Sequence, residues 1–422
     1  MSQQIPDAAE EEAAAPRSDR IVGVDVARAL AVFGMFTVHL GVGAIGVFGD
    51  GAADTLHEIT RGRSSALFAF LAGVSLALMT GRTLPLRGQA VQRARARILV
   101  RALVLALLGG VLDTLGAPIA VILTYYGGFF LLALPLLRLR ALALTATAAA
   151  VALLGPQVSF LVRSAMEEDP YRPTSIGGVA DFLLTGYYPA CTFMAFVIAG
   201  MAVGRLDLGS VRVRAGMAGT GAGLAALGYG GSWVLMNPLG GLDRLVAAQI
   251  LWADGAAAAE ADPALLASVR QWTIDQIGGL HGQVPADSAW WLLVASPHSG
   301  TTFEIAGAIG TSLLVLAACV AVADIAGPPL YPLAAAGAMA LTVYTGHIMV
   351  IAGFGFSHED TAPFRLEAFI VGALVLAALW RLLLGRGPLE RALGRLTDRV
   401  SRLVPLEEGA GPGRAGPGHL RG

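Results

Sequence analysis

The sequence contains no lysine, only two cysteines and few charged residues of any kind. Charged side chains make up 14% of its 422 residues, whereas they make up about 25% of an average soluble domain. A large hydrophobic core cannot explain this shortage, because the surface around such a core still needs polar groups. The net charge of −1 gives no basis for binding nucleic acid. The composition therefore excludes an ordinary soluble domain and indicates an integral membrane protein.

Long apolar runs fill most of the chain, and many of them approach ~20 residues, the length at which a helix crosses a bilayer. Membrane-spanning β-barrels would show alternating hydrophobicity, and these runs are continuous. We therefore predict an all-α, polytopic transmembrane bundle of about ten or eleven spans. The predicted spans are 21–41, 64–80, 98–113, 118–137, 141–162, 188–204, 214–236, 301–324, 331–353 and 365–384, and an eleventh is left open within 171–188.

Arginine placement predicts how the chain is oriented in the cell membrane. The connection 81–97 is rich in arginine, whereas the long connection 237–300 holds only two. By the positive-inside rule, both termini are cytoplasmic and 237–300 lies outside. We predict a transmembrane domain over 20–385. It is flanked by a disordered acidic tail at 1–19 and a basic, then Gly/Pro-rich, cytoplasmic tail at 386–422.

The sequence shows no metal-binding or common catalytic motif. HEITR lacks the second histidine of HExxH, and no nucleophile elbow, phosphate loop or dinucleotide turn occurs in a strand–helix context. No metal is expected. Cys191 and Cys319 lie in apolar segments, so we interpret them as small buried side chains and not as a disulfide.

The first predicted span carries three ionisable residues. Asp25 and Arg28 are three residues apart and therefore neighbours on one helix face. His39 lies on nearly the same line, about 16 Å further along the helix. An Asp25–Arg28 pair would by itself explain two of them as an anchor at the membrane interface. The position of His39 indicates a polar path through the bundle, and we take all three as catalytic candidates.

Other histidines fall near the outer ends of the predicted spans. His57 follows the first span and has Glu58 beside it, so it is a candidate general base. A solvated loop histidine is the alternative. His347 lies three residues after Tyr344 on one face of the ninth span, and intramembrane ionisable residues are candidates for function. A buried structural histidine is the alternative there.

Further polar residues near the outer face form a candidate acceptor site. Thr301 and Glu304 fit a helix capping box, which explains Glu304 structurally, whereas His298 and Ser299 have no such explanation. An exposed helix start also suits an anionic group. The candidate substrate-binding residues are His298, Ser299, Glu304, Tyr344, His347, Asp113 and Tyr125.

Arginines on the inner side are candidates for binding phosphate. Arg93, Arg97 and Arg101 are spaced by four and share one helix face. Membrane insertion alone can explain them, and binding of a phosphate-bearing cofactor is the alternative. Arg63, which precedes the second span, is added to this candidate set.

The segment VDVARALAVFGMFTVHLG resembles the opening of the heparan-alpha-glucosaminide N-acetyltransferase-like proteins, which include bacterial YeiB-type multi-pass proteins. RGRSSALFAFLAGVSLAL is similar to their second span, and GVLDTLGAPIAVILTYYGGFFLLALPLL and PLAAAGAMALTVYTGHIMV are also similar to family segments. The resemblance extends from residue 20 to about 385. Ala29 stands where the family usually has glycine, and His39 where the lysosomal member has asparagine.

The resemblance implies acyl transfer across the membrane. Cytoplasmic acetyl-CoA, or another acyl-CoA, would donate its acyl group to an extracytoplasmic hydroxyl or amine, on a sugar or a lipid-linked acceptor. The family's catalytic histidine between the first two spans corresponds by placement to His57. A proton-coupled transporter is the alternative function, although the sequence shows no inverted repeat. A non-catalytic scaffold is a third. A homodimer is left open.

Overall fold

The computed structural model describes residues 20–41, 50–166, 176, 178–252, 263–356, 362 and 364–403. Every regular element within these ranges is helical, which confirms the predicted all-α class. The α-helices are α1 (Val22–Leu40), α2 (Asp50–Thr60), α3 (Arg63–Met79), α4 (Gly88–Asp113), α5 (Ile122–Ala133), α6 (Ala141–Met166), α7 (Ala190–Gly204), α8 (Val211–Ala225), α9 (Gly231–Met236), α10 (Gly241–Trp252), α11 (Pro263–Gly278), α12 (Thr302–Ala326), α13 (Tyr331–Ala338), α14 (Ala340–Phe354), α15 (Arg365–Leu384) and α16 (Pro388–Arg402).

The predicted spans correspond to helices or to consecutive pairs of helices. Within the described residues, five stretches could each cross a bilayer by length and apolar composition, namely α1, α6, α12, α15 and the stretch Thr55–Met79 that joins α2 to α3. The bent pair α13–α14 would make a sixth span. α4 begins about ten residues before the predicted start, because its basic first half is also helical. In the described part of 171–188, the structure has only the π-helical turn Asp181–Thr185 and no long span.

The central helix of the bundle is α1, which packs against α3, α12, α13, α14 and α15. Because these helices surround α1, its three ionisable residues need not face lipid, and Asp25 is only 3% exposed. Small residues allow the neighbouring helices to approach closely. A side chain on Gly73 of α3 would collide with the Val197 carbonyl of α7, and one on Gly200 of α7 would collide with the Phe70 carbonyl.

One predicted span is broken in the structure. α13 and α14 meet at Met339 with a bend of 68°. Just before the break, Gly337 lies so close to the Asp25 carbonyl that any side chain would clash. The break therefore lies beside the charged start of α1.

The bundle has two chemically distinct ends. The start of α1 packs against the end of α12, where Gly23 contacts Val320. We call this end of the bundle, which carries Arg20, Arg28, Arg97, Arg205 and Arg214, the arginine end. The opposite end, where α1 finishes and α3 and α12 begin, carries His39, His57, His298 and His347, and we call it the histidine end.

The described parts of the long connection 237–300 are mostly helical. It contains α10, α11 and a 3₁₀ turn at Ala289–Leu293. A separate small core, which includes Leu245, Leu280 and Trp291, packs beneath these elements. Of the predicted tails, 1–19 and the part of 386–422 beyond residue 403 lie outside the described residues, whereas α16 lies within the predicted C-terminal tail.

Candidate functional site

A cavity of about 390 Å³ lies between α1, α3, α4, α5, α13, α14 and α16. Arg28 and Arg101 line it together with Ser75, and Tyr126 and Tyr344 also contribute to its wall. The remaining lining is largely apolar, from residues such as Phe68. A few polar groups in an apolar pocket of ~300–1,000 Å³ are typical of a small-molecule site.

Arg28 is held in place by a defined set of partners. Its guanidinium donates to the Asp25 carboxylate at 2.8 Å and to Ser75 Oγ at 2.7 Å. Arg20 donates to the other Asp25 oxygen at 2.5 Å. Asp25 thus orients Arg28 and neutralises it, and it lies about 21 Å along α1 from His39.

Arg101 has no such set of partners. Its Nε atom is buried and has no hydrogen-bond partner in the described part of the chain. The positive charge of Arg28 acts on Arg101, as does that of Arg97. The opposing carboxylate of Asp398 is itself half-exposed and pairs with Arg97 at 3.6 Å. Arg101 is therefore a cation with spare donors at the wall of a cavity.

The other candidate phosphate-binding arginines lie elsewhere. Arg97 is exposed on the face of α4 that meets α16, and Arg93 is half-buried one turn earlier. Arg63 lies at the histidine end, where it donates to the Tyr229 hydroxyl at 3.0 Å and to the Glu58 carbonyl at 2.7 Å. The four predicted arginines do not form a single cluster, because Arg63 lies at the opposite end of the bundle.

A pair of histidines lies behind the part of the cavity wall that Tyr344 forms. The Tyr344 ring contacts the His347 ring, with centroids 5.0 Å apart. His347 Nε2 lies 2.9 Å from His39 Nδ1, and the two rings stack. One nitrogen of this pair donates its proton to the other, so the pair can accept or pass on a proton. His347 is 4% exposed.

Two phenol groups lie in the wall of the same cavity. Tyr126 is buried, and its hydroxyl has no hydrogen-bond partner within the described ranges. The Tyr344 hydroxyl accepts a hydrogen bond from Ile122 N at 3.3 Å, which leaves its own proton free to donate. Both phenols are suited to stabilising negative charge on an oxygen in the cavity.

A second histidine pair lies in the loops at the histidine end. The rings of His281 and His298 stack with centroids 5.9 Å apart, and Tyr187 contacts both. Tyr188 contacts His298 and lies within electrostatic range of Tyr344. Four of the histidines thus form two pairs, and a buried tyrosine contacts each pair, Tyr188 at His298 and Tyr344 at His347.

Glu304 and Ser299 are both buried beside this loop. Thr301 accepts a hydrogen bond from Glu304 N at 3.2 Å, as expected of a helix cap. In the described part of the chain, no backbone N–H donates to the Glu304 carboxylate in return, and this carboxylate lies in the field of Arg63. Capping therefore explains Thr301 and does not explain the buried carboxylate.

The remaining candidates lie apart from the cavity. His57 is half-buried on α2, and in the described chain its ring contacts none of the other histidines. Tyr125 is fully buried, and its hydroxyl accepts from Tyr187 N at 3.0 Å. Asp113, at the end of α4, acts electrostatically on Tyr125. Of the two adjacent tyrosines, it is therefore Tyr126 that lines the cavity.

Ser75, Tyr126 and Glu390 also line the cavity and are not among the site residues predicted from the sequence. The Glu390 carboxylate accepts from Thr342 N at 3.0 Å and from Thr342 Oγ1 at 2.6 Å. It thereby caps α14 at the break and closes the cavity from α16. The only sequence signal for Glu390 was its place in a strongly amphipathic basic segment.

Comparison with known proteins identifies the family. The model of the heparan-alpha-glucosaminide N-acetyltransferase catalytic domain matches residues 20–233, just over half of the chain. The chain belongs to this family. The chain is thus a multi-pass membrane protein of this acetyltransferase family. The match contains Arg28, His39 and Arg101 and ends before Tyr344 and His347. No curated protein and no solved structure matches the chain.

The stability of the protein is expected to depend on pH because of the second histidine pair, His281 and His298. Burial, and secondarily the charges of His281 and Arg61, lower the pKa of His298 from 6.5 to about 3. Between these values the unfolded chain binds the proton and the folded protein does not. Stability should therefore be complete above pH 6.5 and fall as the pH decreases toward 3.

Thermal unfolding of the wild type and of His298→Asn checks this prediction. Asparagine tolerates the positive φ of 60° at this position, so the variant should melt as the wild type does at pH 8. Its melting temperature should fall less steeply on acidification. An equally steep fall in both proteins would contradict the assignment to His298.

Proposed function

We propose that this protein transfers the acetyl group of acetyl-CoA, bound from a cytoplasmic arginine end, to a hydroxyl or amine of an acceptor at an extracytoplasmic histidine end. The observation that carries the proposal is that Arg28, Arg101 and Tyr344 line the same cavity. The Tyr344 ring in turn contacts His347, which pairs with His39. The cavity therefore extends from anion-binding groups to a tyrosine whose ring contacts a proton-accepting group.

The arginines supply what the donor requires. CoA carries several phosphates, and arginine forms strong charge-assisted hydrogen bonds with phosphate oxygens. Arg101 has an unused buried Nε donor, and Arg28 is already oriented by Asp25 and Ser75. The apolar walls between Arg101 and Tyr344 suit the uncharged arm that carries the thioester.

The histidines and tyrosines supply the chemistry. The acceptor's O–H or N–H gives its proton to the His39–His347 pair, and its lone pair forms a bond to the thioester carbonyl carbon. The C–S bond then breaks, and the CoA sulfur leaves as a thiolate that takes up a proton. Hydrogen bonds from Tyr126 and Tyr344 stabilise the carbonyl oxygen while it carries negative charge.

Sealed proteoliposomes test the proposal and its direction. Radiolabelled acetyl-CoA is added outside and glucosamine is enclosed inside, so only molecules with an outward arginine end receive the donor. Acetylated glucosamine should accumulate in the lumen. Product that forms only when donor and acceptor share one side would contradict transfer across the membrane.

The broken span favours one alternative function. Discontinuous helices such as α13–α14 are typical of secondary transporters, and the bend lies beside Asp25. A proton-coupled transporter would move glucosamine across the same liposome membrane without acetyl-CoA. We expect no such flux, and its appearance would favour the transporter.

A further inference from the structure

A second and larger cavity, of about 710 Å³, lies between α6, α7, α8 and α12. It shares no lining residue with the arginine-lined cavity. None of the residues that line it is charged. Much of its volume exists because α6, α7 and α12 contribute alanines, whose side chains are small. The proposed donor site therefore leaves this cavity unused.

The cavity has the dimensions of a lipid chain. Along α12 its lining runs from Thr302 to Leu313, a distance of about 16 Å at the rise of an α-helix. Gly221 of α8 lies level with Leu313, and the lining on α8 continues from there toward the arginine end as far as Val213, so the cavity is long enough for an extended hydrocarbon chain. Its end at Thr302 lies toward the histidine end.

The cavity opens toward the bilayer between α6 and α8. These two helices flank the cavity without packing closely against each other. On α6, Leu153 is 57% exposed, and Gly216 and Thr220 of α8 are also exposed. A hydrocarbon chain can therefore enter sideways from the membrane without crossing a polar surface.

The end of the cavity near the histidine end is polar. Thr302 donates to the Ala152 carbonyl and accepts from Gln157 Nε2 at 3.3 Å. The Gln157 Oε1 atom is buried and has no hydrogen-bond partner in the described ranges. Thr302 follows directly the loop that carries His298, so a polar head group at this end would lie beside that loop.

We propose that this cavity binds the hydrocarbon chain of a lipid-anchored acceptor and presents its hydroxyl or amine at the histidine end. The proposal rests on the proposed function for the reaction, in which the acceptor loses its proton and replaces the CoA sulfur on the acetyl carbon. The proposed binding of the hydrocarbon chain rests on the cavity alone. This binding makes a lipid-anchored acceptor the preferred one, which binds more tightly than a free sugar with the same reactive group.

A pair of glycine variants on α8 tests the proposal. Gly216 lines the cavity, whereas Gly219 does not, and a Cβ atom at either position would meet no atom within 4 Å. Both Gly216→Leu and Gly219→Leu should therefore fold. Dodecyl and methyl glucosaminide, which share one head group, are compared as binding probes and as acetyl acceptors for protein in nanodiscs.

We expect the dodecyl probe to bind at least about tenfold more tightly than the methyl probe, which corresponds to roughly two methylenes in full contact. Gly216→Leu should remove most of this difference, and Gly219→Leu should preserve it. Equal binding of the two probes, or an unchanged difference in Gly216→Leu, would overturn the proposal and indicate bilayer lipid only.

Binding and transfer separate the two proposals. Chain-dependent binding that Gly216→Leu abolishes, without acetylation of either probe, would support the lipid site and contradict the proposed reaction. Acetylation of both probes with the same KM would support the reaction and contradict the lipid site.

Discussion

His39→Ala is expected to lower kcat for acetyl transfer by about 10²–10⁴-fold, the usual contribution of a positioned general base. His39 is half-buried and lies 2.9 Å from His347 Nε2, so its loss removes one proton-accepting nitrogen and isolates the other. The affinity for acetyl-CoA should change little, because Arg28 and Arg101 lie at the other end of the bundle. Single-turnover kinetics with labelled acetyl-CoA measure both quantities.

Two further variants decide what His39 does. Asparagine in His39→Asn can still hydrogen-bond His347 but cannot take a proton, so it should be as inactive as alanine. Full activity of His39→Asn would show that His39 only positions its partner. The family resemblance points instead to His57, and a large loss in His57→Ala with a small one in His39→Ala would move the catalytic base to α2.

Arg101→Gln is expected to weaken acetyl-CoA binding by about 10–100-fold, since hydrogen bonds to charged groups contribute ~1.5–3 kcal/mol. Arg101 lines the cavity and has a buried Nε without a partner in the described chain. The ligand-free variant should be at least as thermally stable as the wild type, because the change removes an uncompensated charge. Titration calorimetry and thermal melting measure the two effects.

Arg97→Gln is the matched control for this prediction. Arg97 lies one helical turn away, is exposed and pairs with Asp398 at 3.6 Å. Surface ion pairs contribute at most ~1 kcal/mol, so acetyl-CoA should bind to Arg97→Gln within about fivefold of wild type. If Arg97→Gln binds poorly and Arg101→Gln binds normally, the phosphates lie on the surface between α4 and α16 and not in the cavity.

The site was only partly predictable from sequence. The three-residue spacing predicted the Asp25–Arg28 contact, and helical periodicity placed His39 on the same inward face. Tyr344 and His347 were predicted to share a face, and their rings are in contact. The pairing of His39 with His347 was not predictable, because it joins residues 308 positions apart and depends on how α14 crosses α1.

Two of the predicted site residues lie away from the cavity for physical reasons. Arg63 was grouped with the α4 arginines by residue type, although the antiparallel course of α3 and α4 places it at the other end. Tyr125 was selected over Tyr126, and adjacent residues on a helix point about 100° apart. Only the packing of α5 shows which of the two faces the cavity.

By itself, the sequence determined that this chain is an all-helical membrane protein with most arginines at one end and most histidines at the other. Hydrophobic run length and arginine bias decide this locally, because each span must satisfy the bilayer on its own. Tertiary structure alone decided which polar residues meet: the break at Met339, the Glu390 cap and the unpartnered Nε of Arg101. These depend on contacts between distant helices, where small residues set how closely the backbones approach.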